Sequence, residues 1–407
     1  MGNTDKYKVY QLYKSYNGTD WFQGNKYKAY LLEENSSDCG YSARTITTTD
    51  DDCSGTTKIT TTTILYQESE DFGETWTTVS SSSTKTYDYY SEDCGYIPSE
   101  YSEQYLTLVA KSNGYLNFID IPSSNKISYS TDNGNTWSEP AKEITVKVNS
   151  GDKVLFKGNM TPSIYGIGSF SASTATYDIQ GNVMSLLYGD NFINQTNLSD
   201  KSAAFRYLFR PKSGLLGTIS AKNLILPATT LSTNCYNEMF AGCTLLTQAP
   251  SLPATTLASS CYKSMFLGCT SLTTAPSLPA TTMVDNCYQY MFRGCTSLVN
   301  APSLPATTLA QYCYNFMFQG CTSLTTAPVL PTTALVRNYD GCYVSMFAQC
   351  SNLNYIKMLA TTIYSDSYLS NWVQDVASSG TFVKAATMTS LPSGNNGIPN
   401  GWTVEDA

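Results

Sequence analysis

The stretch CYKSMFLGCTSLTTAPSLPATTM, residues 261–283, decides the fold of this chain because it recurs. Close copies follow one another at a period of 26 residues and begin at Cys235, Cys287 and Cys313. A fifth block begins at Cys342 after three additional residues, and a degenerate block around Leu208-Phe209 precedes them all. Six blocks in succession predict a solenoid, in which each coil buries its apolar side against its neighbours.

Within each coil, the segment between the two cysteines has apolar residues at offsets 0, 1, 4, 5 and 8 from the first cysteine. This spacing predicts one face of a short helix. Gly268 falls near the end of that predicted helix, where a left-handed residue is useful. The stretch from Leu272 to Leu278 is expected to be extended, because Pro276 and Pro279 cannot continue a helix. The sequence therefore predicts an α/β solenoid over residues 191–363.

Residues 364–407 are predicted to form a C-terminal cap, since the last coil of a solenoid needs cover. A helix is expected to begin at Ser365 or Asp366 and to end at Gly380. Its apolar residues recur at the helical period and are Leu369, Trp372, Val373 and Val376. A strand near residues 381–388 and Trp402 are expected to complete this helical cap.

Positions that change between coils are predicted to point outward, whereas the constant ones form the core. The aromatic and polar exceptions at outward positions are candidate contacts for a partner. They are Tyr290, Arg293, Tyr312, Phe316, Gln319 and Arg337. The alternative is that these residues are ordinary surface. A column of tyrosines from Tyr236 to Tyr343 is expected to be packed core with satisfied hydroxyls rather than a ligand-stacking stripe.

The repeated elements Met265-Phe266, Gly268-Cys269 and Thr270-Ser271-Leu272, followed by Pro276, resemble the BspA-like (Treponema-type) leucine-rich repeats of bacterial surface proteins. The LPATT form and the ending SNWVQDVASSGTFVKAATM resemble proteins of gut Bacteroides and fibre or appendage proteins of the crAss-like phages that infect them. The resemblance covers residues 200–407. It implies a leucine-rich-repeat fold and a binding or adhesive role, and it supplies no catalytic residues.

The N-terminal part carries a second repeat, of period 55. Trp21 and Trp76 are each followed after 18 residues by the cysteine of a DCGY tetrapeptide. Threonine tracts between these motifs favour strands. Residues 1–108 are therefore predicted to form two tandem β modules of about 55 residues each. These Trp-to-DCG modules resemble modules of phage fibre-like proteins. Residues 109–190 alternate apolar and polar side chains, which predicts a β-sandwich-like domain.

Two stretches, Ser69–Trp76 and Ser130–Trp137, match the Asp-box S-x-D-x-G-x-T-W in full. Asp-boxes occur in sialidases, so a sialidase-like, glycan-active protein is an alternative. The motif itself is expected to be a hairpin turn in which Asp132 bonds the backbone, Gly134 takes unusual dihedral angles and the tryptophan packs beneath. A sialidase site would also need several arginines, and Arg44 is the only arginine before residue 206.

The composition argues against several other functions. The net charge is −8 without clustered Lys or Arg, so no nucleic-acid partner is expected. The chain has no histidine, and its 13 cysteines lack CxxC spacing, so no cofactor or zinc site is predicted. The cysteines are expected to be buried free thiols rather than disulfides. Asp178, Asp190 and Asp200 are possible cation ligands, but isolated loop carboxylates are usually only solvated.

Two functions remain open at this point. The first is a non-enzymatic virion protein, a fibre or appendage joined to other virion proteins through its N-terminal β modules and presenting the repeats for attachment to a host-cell glycan or protein. The second is a bacterial cell-surface adhesin, which would need an export signal or lipid anchor. No apolar leader or run of about 20 apolar residues is present, so the virion is favoured and no membrane partner is expected. A homotrimer is expected by analogy with fibres.

Overall fold

A computed structural model describes the backbone of residues 26–33, 42–54, 57–69 and 77–88, and residues 101–407 apart from 102, 216, 337–338 and 389–390. The chain forms two compact units, Met1–Pro98 and Ser99–Ala407. The Trp-to-DCGY motifs of the predicted β modules lie outside the described residues. The finer division of the chain into domains stays a prediction.

The described residues of the first unit form an antiparallel sheet of four strands in chain order. They are β1 (Lys26–Glu33), β2 (Ser42–Ser54), β3 (Thr57–Ser69) and β4 (Thr77–Asp88). The threonine tracts of the sequence lie in β2 and β3, where β-branched residues are favoured.

The second unit begins with seven strands. They are β5 (Leu106–Ala110), β6 (Gly114–Phe118), β7 (Ile127–Ser130), β8 (Ile144–Val148), β9 (Lys153–Gly158), β10 (Tyr177–Asn182) and β11 (Thr218–Ile225). Five strands form a sheet in the order β11-β10-β5-β9-β7, and β6 pairs with β8. The pair and the sheet share a core, because the Phe170 ring contacts Phe118 of β6 at 4.7 Å and Phe156 of β9 at 4.9 Å.

This β region is continuous with the first coil. After β10 the chain makes the one-turn helix α1 (Ser185–Tyr188), passes through residues 203–210 of the first coil, and returns as β11, parallel to β10. Ser220 of β11 forms a bridge to Gln248 of the next coil. Phe170 also stacks on Phe209 with ring centroids 5.6 Å apart. The β region therefore closes the N-terminal end of the coil stack.

The prediction of an α/β solenoid with a helical cap is wrong. Among the described residues the one complete α-helix is α1, and the remainder is strand, short 3-10 helix, turn and loop with no closed sheet. Each cysteine-to-cysteine segment is instead a ribbon of consecutive β-turns. In the coil that begins at Cys261, every second backbone N–H bonds within its own turn, as from Met265 to the carbonyl oxygen of Tyr262 at 3.1 Å.

The other N–H groups of the ribbon point along the stack to the next coil. Tyr262 donates to the carbonyl oxygen of Cys287 at 3.1 Å, and Phe266 donates to that of Met291 at 3.0 Å. The same bonds recur between the following coils, so the ribbons lie side by side and hold the stack together.

The reason for the wrong assignment lies in the period of the apolar residues. Four residues turn an α-helix by about 400°, so a strict four-residue repeat drifts by about 40° at each step. The ribbon removes this drift with a left-handed residue at every fourth position. In the second full coil these are Ser260, Ser264 and Gly268, with φ of 55°, 55° and 70°. Gly268 is thus one of three equivalent turn positions rather than the end of a helix.

The other side of each coil is extended but pairs sparsely. Isolated parallel bridges join Thr274 to Asn300 and Thr282 to Thr308 in neighbouring coils. The prolines in the intervening segments have no N–H to donate, so a continuous ladder cannot form there. Among the described residues, regular strands on this side occur in the first coil as β11 and in the last coils as β12 (Ala334–Leu335), β13 (Tyr355–Met358) and β14 (Thr362–Ile363).

The interior of the stack consists of columns of like residues. The phenylalanine rings from Phe209 to Phe347 stack at centroid distances of 5.3–5.7 Å, and those from Phe205 through the tyrosines to Tyr343 at 5.5–6.1 Å. The second cysteine of each coil donates its thiol proton to the carbonyl oxygen of the phenylalanine one coil earlier. For Cys269 and Phe240 this distance is 3.2 Å. The ten cysteines from Cys235 to Cys350 are buried and unbridged.

The C-terminal cap continues the ribbon instead of forming a helix. The Ser365 side chain accepts the N–H of Ser367 and begins a single 3-10 turn over Asp366–Leu369. The carbonyl oxygen of Trp372 then accepts a hydrogen bond from the N–H of Phe347 at 2.8 Å, which is the same kind of bond that joins neighbouring coils. A parallel sheet of β13, β15 (Thr381–Lys384) and β16 (Thr403–Asp406) closes this end. No helix formed by the described residues has the length and apolar character to span a membrane.

Candidate binding surface

Two aromatic residues stack on the outward side of the turn ribbon. Tyr290 and Phe316 lie at offset 3 of neighbouring coils, and their rings are 5.0 Å apart at 19°. Both rings are half-buried, and both residues have left-handed backbones, with φ of 58° and 55°. A left-handed conformation is unfavourable for a bulky residue. The coil-to-coil hydrogen bonds on either side hold these two residues in it.

Cations flank the aromatic pair. The guanidinium carbon of Arg293 lies 5.5 Å from the ring centre of Tyr290 and 5.8 Å from that of Phe316. The ammonium group of Lys263 lies 6.0 Å from the Tyr290 ring on the side of the preceding coil. Partial burial lowers the pKa of Lys263, while Glu238 opposes this shift. Arg293 is within cation–π distance of both rings, and Lys263 is within it of the Tyr290 ring.

Side-chain amides lie next to the rings. The Gln289 amide, on the residue before Tyr290, donates to the side-chain oxygen of Asn315, the residue before Phe316, at 2.8 Å. Gln319, half-buried beside Arg293 in the next coil, has a side-chain oxygen that is buried and accepts no hydrogen bond within the described part of the chain. We call Lys263, Tyr290, Arg293, Phe316 and Gln319 the aromatic patch.

The structure thus places four of the six candidate residues in one patch. Tyr312 lies at offset −1 instead, with 38% of its surface exposed, and its ring covers Gly341. No ring contact between described residues joins it to the patch. Arg337 lies outside the described residues. Lys263 was not among the candidate residues predicted from the sequence. It is a charged residue at offset 2 of the coil before that of Tyr290, and this position brings its ammonium group close to the Tyr290 ring.

The tyrosine column is packed core, with Tyr236, Tyr262 and Tyr288 fully buried. The expectation that their hydroxyls are hydrogen-bonded is wrong for these three tyrosines. Each of the three hydroxyls is buried and has no hydrogen-bond partner among the described residues. Burial raises the pKa of each hydroxyl well above its usual value. The column therefore serves packing and offers no stacking surface to a ligand.

The second Asp-box forms the hairpin turn that its sequence predicts. Asp132 accepts the N–H of Thr136 at 2.9 Å and the Thr136 hydroxyl at 2.6 Å, and these bonds lower the pKa of Asp132 to about 2. Gly134 has a φ of 89°, and the Trp137 ring packs against Tyr105 at 4.8 Å. Every polar group of Asp132 is committed to the turn. Residues 70–76 of the other Asp-box lie outside the described residues.

The three carboxylates predicted as possible cation ligands each pair with a lysine, and Asp178 lies in β10 rather than in a loop. Asp178 contacts Lys111 at 2.7 Å, Asp190 contacts Lys157 at 2.8 Å, and Asp200 contacts its neighbour Lys201 at 2.8 Å. Within the described ranges, no group of three or more Cys, Asp or Glu side chains is arranged to hold a metal ion.

Comparison with known proteins gives no relative. Neither a family model, nor a curated protein, nor a solved structure matches this chain. The resemblance to BspA-like repeats and to phage fibre proteins therefore stays a prediction.

Proposed function

We propose that this chain is a non-enzymatic attachment protein that binds a cell-surface glycan through the aromatic patch. The observation that carries the proposal is the stacked pair Tyr290–Phe316 with Arg293 beside both rings. Buried aromatic residues are explained by packing, whereas a half-exposed pair in a strained backbone conformation is not required by the fold.

The chemistry of the patch suits a sugar better than a protein. The C–H faces of a pyranose ring carry partial positive charge and pack on the negative face of an aromatic ring. The cations of Arg293 and Lys263 and the amide of Gln319 can bond sugar hydroxyls beside that contact. A stable protein interface needs about 800 Å² on each partner and a cluster of buried apolar anchors. Two rings among polar neighbours fall short of that.

The biological setting remains the one that the sequence favours. We propose a virion fibre or appendage, joined to other virion proteins through its N-terminal unit, with a bacterial cell-surface adhesin as the alternative. The absence of a strong positive charge and the low charged fraction of 14% are consistent with display on either surface. Mass spectrometry of purified particles separates the two: peptides of this chain in the particle support the virion, and their absence contradicts it.

The binding role is tested by replacing both rings with serine, Tyr290→Ser and Phe316→Ser. The chain itself places Ser264 and Ser345 at the same offset, so the backbone tolerates the change. We expect attachment to host cells to fall at least about tenfold, because stacking contacts dominate such sites. Tyr364→Ser, at a tyrosine that is 62% exposed and distant in sequence, is the matched control. Unchanged attachment by the folded double variant would contradict the proposal.

A further inference from the structure

A second site lies where the β region meets the first coil. A cleft of about 700 Å³ opens there. Its lining includes Asp120, Tyr165, Ser171, Tyr207, Arg210 and Lys212. These residues come from separate segments of the second unit, and none belongs to the aromatic patch. A volume in this range accommodates a small ligand of one or two sugar rings.

One wall of the cleft is a short loop fixed to the coil. Ser163 and Gly166 exchange backbone hydrogen bonds of 3.0 Å, and the Arg206 guanidinium donates to the carbonyl oxygen of Ile164 at 3.0 Å. A Cβ atom on Gly166 would lie 2.7 Å from the carbonyl oxygen of Arg206, so the loop and the coil are in close contact. Even so, Tyr165 is 71% exposed. The backbone is anchored while the ring stays open to solvent.

A second part of the lining belongs to the outward side of the first turn ribbon. Tyr207 occupies the offset that Tyr290 and Phe316 occupy further along the stack, and it too has a left-handed backbone, with φ of 63°. Guanidinium carbons lie near its ring, that of Arg206 at 4.5 Å and that of Arg210 at 5.3 Å. These contacts fix the orientation of the ring. The cleft therefore presents two tyrosines on positioned backbones.

The charges of the lining favour an anion. The lining contains two cationic side chains, Arg210 and Lys212, and one carboxylate, Asp120, whereas the whole chain has a net charge of −8. Arg210 is also held by Glu238 at 2.5 Å, which leaves part of its donor set for a ligand. Lys212 is exposed and forms no ion pair with any residue that the structure describes. Lys212 is thus the cation that a ligand can engage at the lowest cost.

We infer that this cleft binds a carboxylate-bearing sugar. The sugar ring packs against the tyrosines, its carboxylate pairs with Lys212 and a free N–H of Arg210, and its hydroxyls bond to Asp120 and Ser171. The lining holds a single carboxylate, Asp120, and the inference concerns binding alone. This inference does not depend on the aromatic patch.

The test uses the full chain and methyl glycosides of galacturonic and N-acetylneuraminic acid, with methyl galactoside as the neutral probe, measured by NMR saturation transfer and titration calorimetry. We expect at least one acidic glycoside to bind at least about tenfold more tightly than the neutral probe, and more weakly as salt rises. Lys212→Gln and Tyr165→Ala should each weaken that binding at least about fivefold. Lys142→Gln and Tyr364→Ala, at exposed residues of the same types elsewhere, should leave it unchanged.

The inference is overturned by no binding of either acidic probe at millimolar concentration, by equal binding of acidic and neutral probes, or by equal binding by the cleft and control variants. The Tyr290→Ser, Phe316→Ser double variant belongs in the same titration. Its loss of cell attachment with intact binding of the acidic sugar would show two separate sites. Loss of both activities would place the ligand on the aromatic patch and contradict the cleft.

Discussion

The two sides of the turn ribbon obey different rules. On the inner side, equivalent positions carry the same residue in successive coils, as in Phe266, Phe292 and Phe318. On the outer side, offset 3 carries Glu, Ser, Tyr, Phe and Ser in turn, although every one of these residues has a left-handed backbone. On the inner side the ribbon therefore restricts the size and shape of the side chain. On the outer side it restricts the backbone conformation and accepts different side chains.

The difference teaches where stability and binding reside. A ring that stacks between two identical rings fits only if its neighbours keep their size. Close packing of the interior therefore requires the same residue at equivalent inner positions of successive coils. At offset 3 the side chains of Glu238, Tyr290 and Phe316 are partly exposed, whereas the small side chains of Ser264 and Ser345 are buried, so the position accepts residues of different size. Replacements inside should therefore affect folding, whereas replacements outside should affect recognition.

The largest effect is expected from the phenylalanine column. Phe292→Ala removes a ring that stacks on both Phe266 and Phe318, and it leaves a cavity in the middle of the stack. We expect a loss of about 3–5 kcal/mol in the free energy of unfolding. Denaturant titration followed by tryptophan fluorescence measures it. A loss below about 1 kcal/mol would mean that the interior does not depend on the column.

The buried thiols should make the stack sensitive to alkali. Burial raises the pKa of Cys243, Cys295 and Cys350 to about 12, against an ordinary value of 9.0. The folded state therefore keeps these protons at a pH where the unfolded chain has lost them. Their stabilising contribution is complete below pH 9 and disappears as the pH rises towards 12.

Denaturation midpoints measured between pH 7 and pH 11 examine this dependence. We expect a constant midpoint up to about pH 8.5 and a progressive fall above it. Iodoacetamide at pH 8 should leave the ten thiols unmodified until the protein unfolds, since the thiolate is the reactive form. Rapid alkylation of these ten cysteines in the native protein, located by peptide mass spectrometry, would show that the cysteine columns are exposed.

A smaller effect is expected at the left-handed positions. Gly294 has a φ of 73°, and a Cβ atom there would find only ordinary contact, 3.7 Å from Gly268. Gly294→Ala should therefore cost about 1–2 kcal/mol through the backbone alone. Ser264→Gly, at φ of 55°, should instead leave stability unchanged or raise it by a fraction of that amount. Equal losses for both variants would contradict the turn ribbon.

The smallest effect on stability is expected on the outer side. Tyr290→Ser with Phe316→Ser leaves the inner columns unchanged and introduces a side chain that the ribbon already accepts at Ser264 and Ser345. We expect a change of less than about 1 kcal/mol, measured by the same titration as Phe292→Ala. A loss comparable with that of the phenylalanine would show that the outer pair is structural, and it would remove the basis of the proposed binding site.

Much of this arrangement is visible in the sequence, and its limits have a physical cause. The period of 26 shows the stacking, and constancy against variation separates the inner Phe292 from the outer Phe316. The offsets 0, 1, 4, 5 and 8 fit both a helix face and a four-residue turn ribbon, because apolar spacing does not reveal where the N–H groups point. Glycine is the residue type from which a positive φ can be predicted. Tyr290 and Phe316 also have positive φ, but their residue types give no indication of it. The cleft was not predicted, since Tyr165 and Lys212 meet only after the β region closes on the first coil.

The central claim is that the coils are turn ribbons joined by hydrogen bonds from one coil to the next. Scalar couplings across hydrogen bonds, measured by NMR on the deuterated full chain, observe this directly. We expect a coupling between the amide nitrogen of Phe266 and the carbonyl carbon of Met291, whose oxygen lies 3.0 Å from that nitrogen. A coupling from Phe266 to the carbonyl carbon of Tyr262, four residues earlier, would mean an α-helix and would contradict the account.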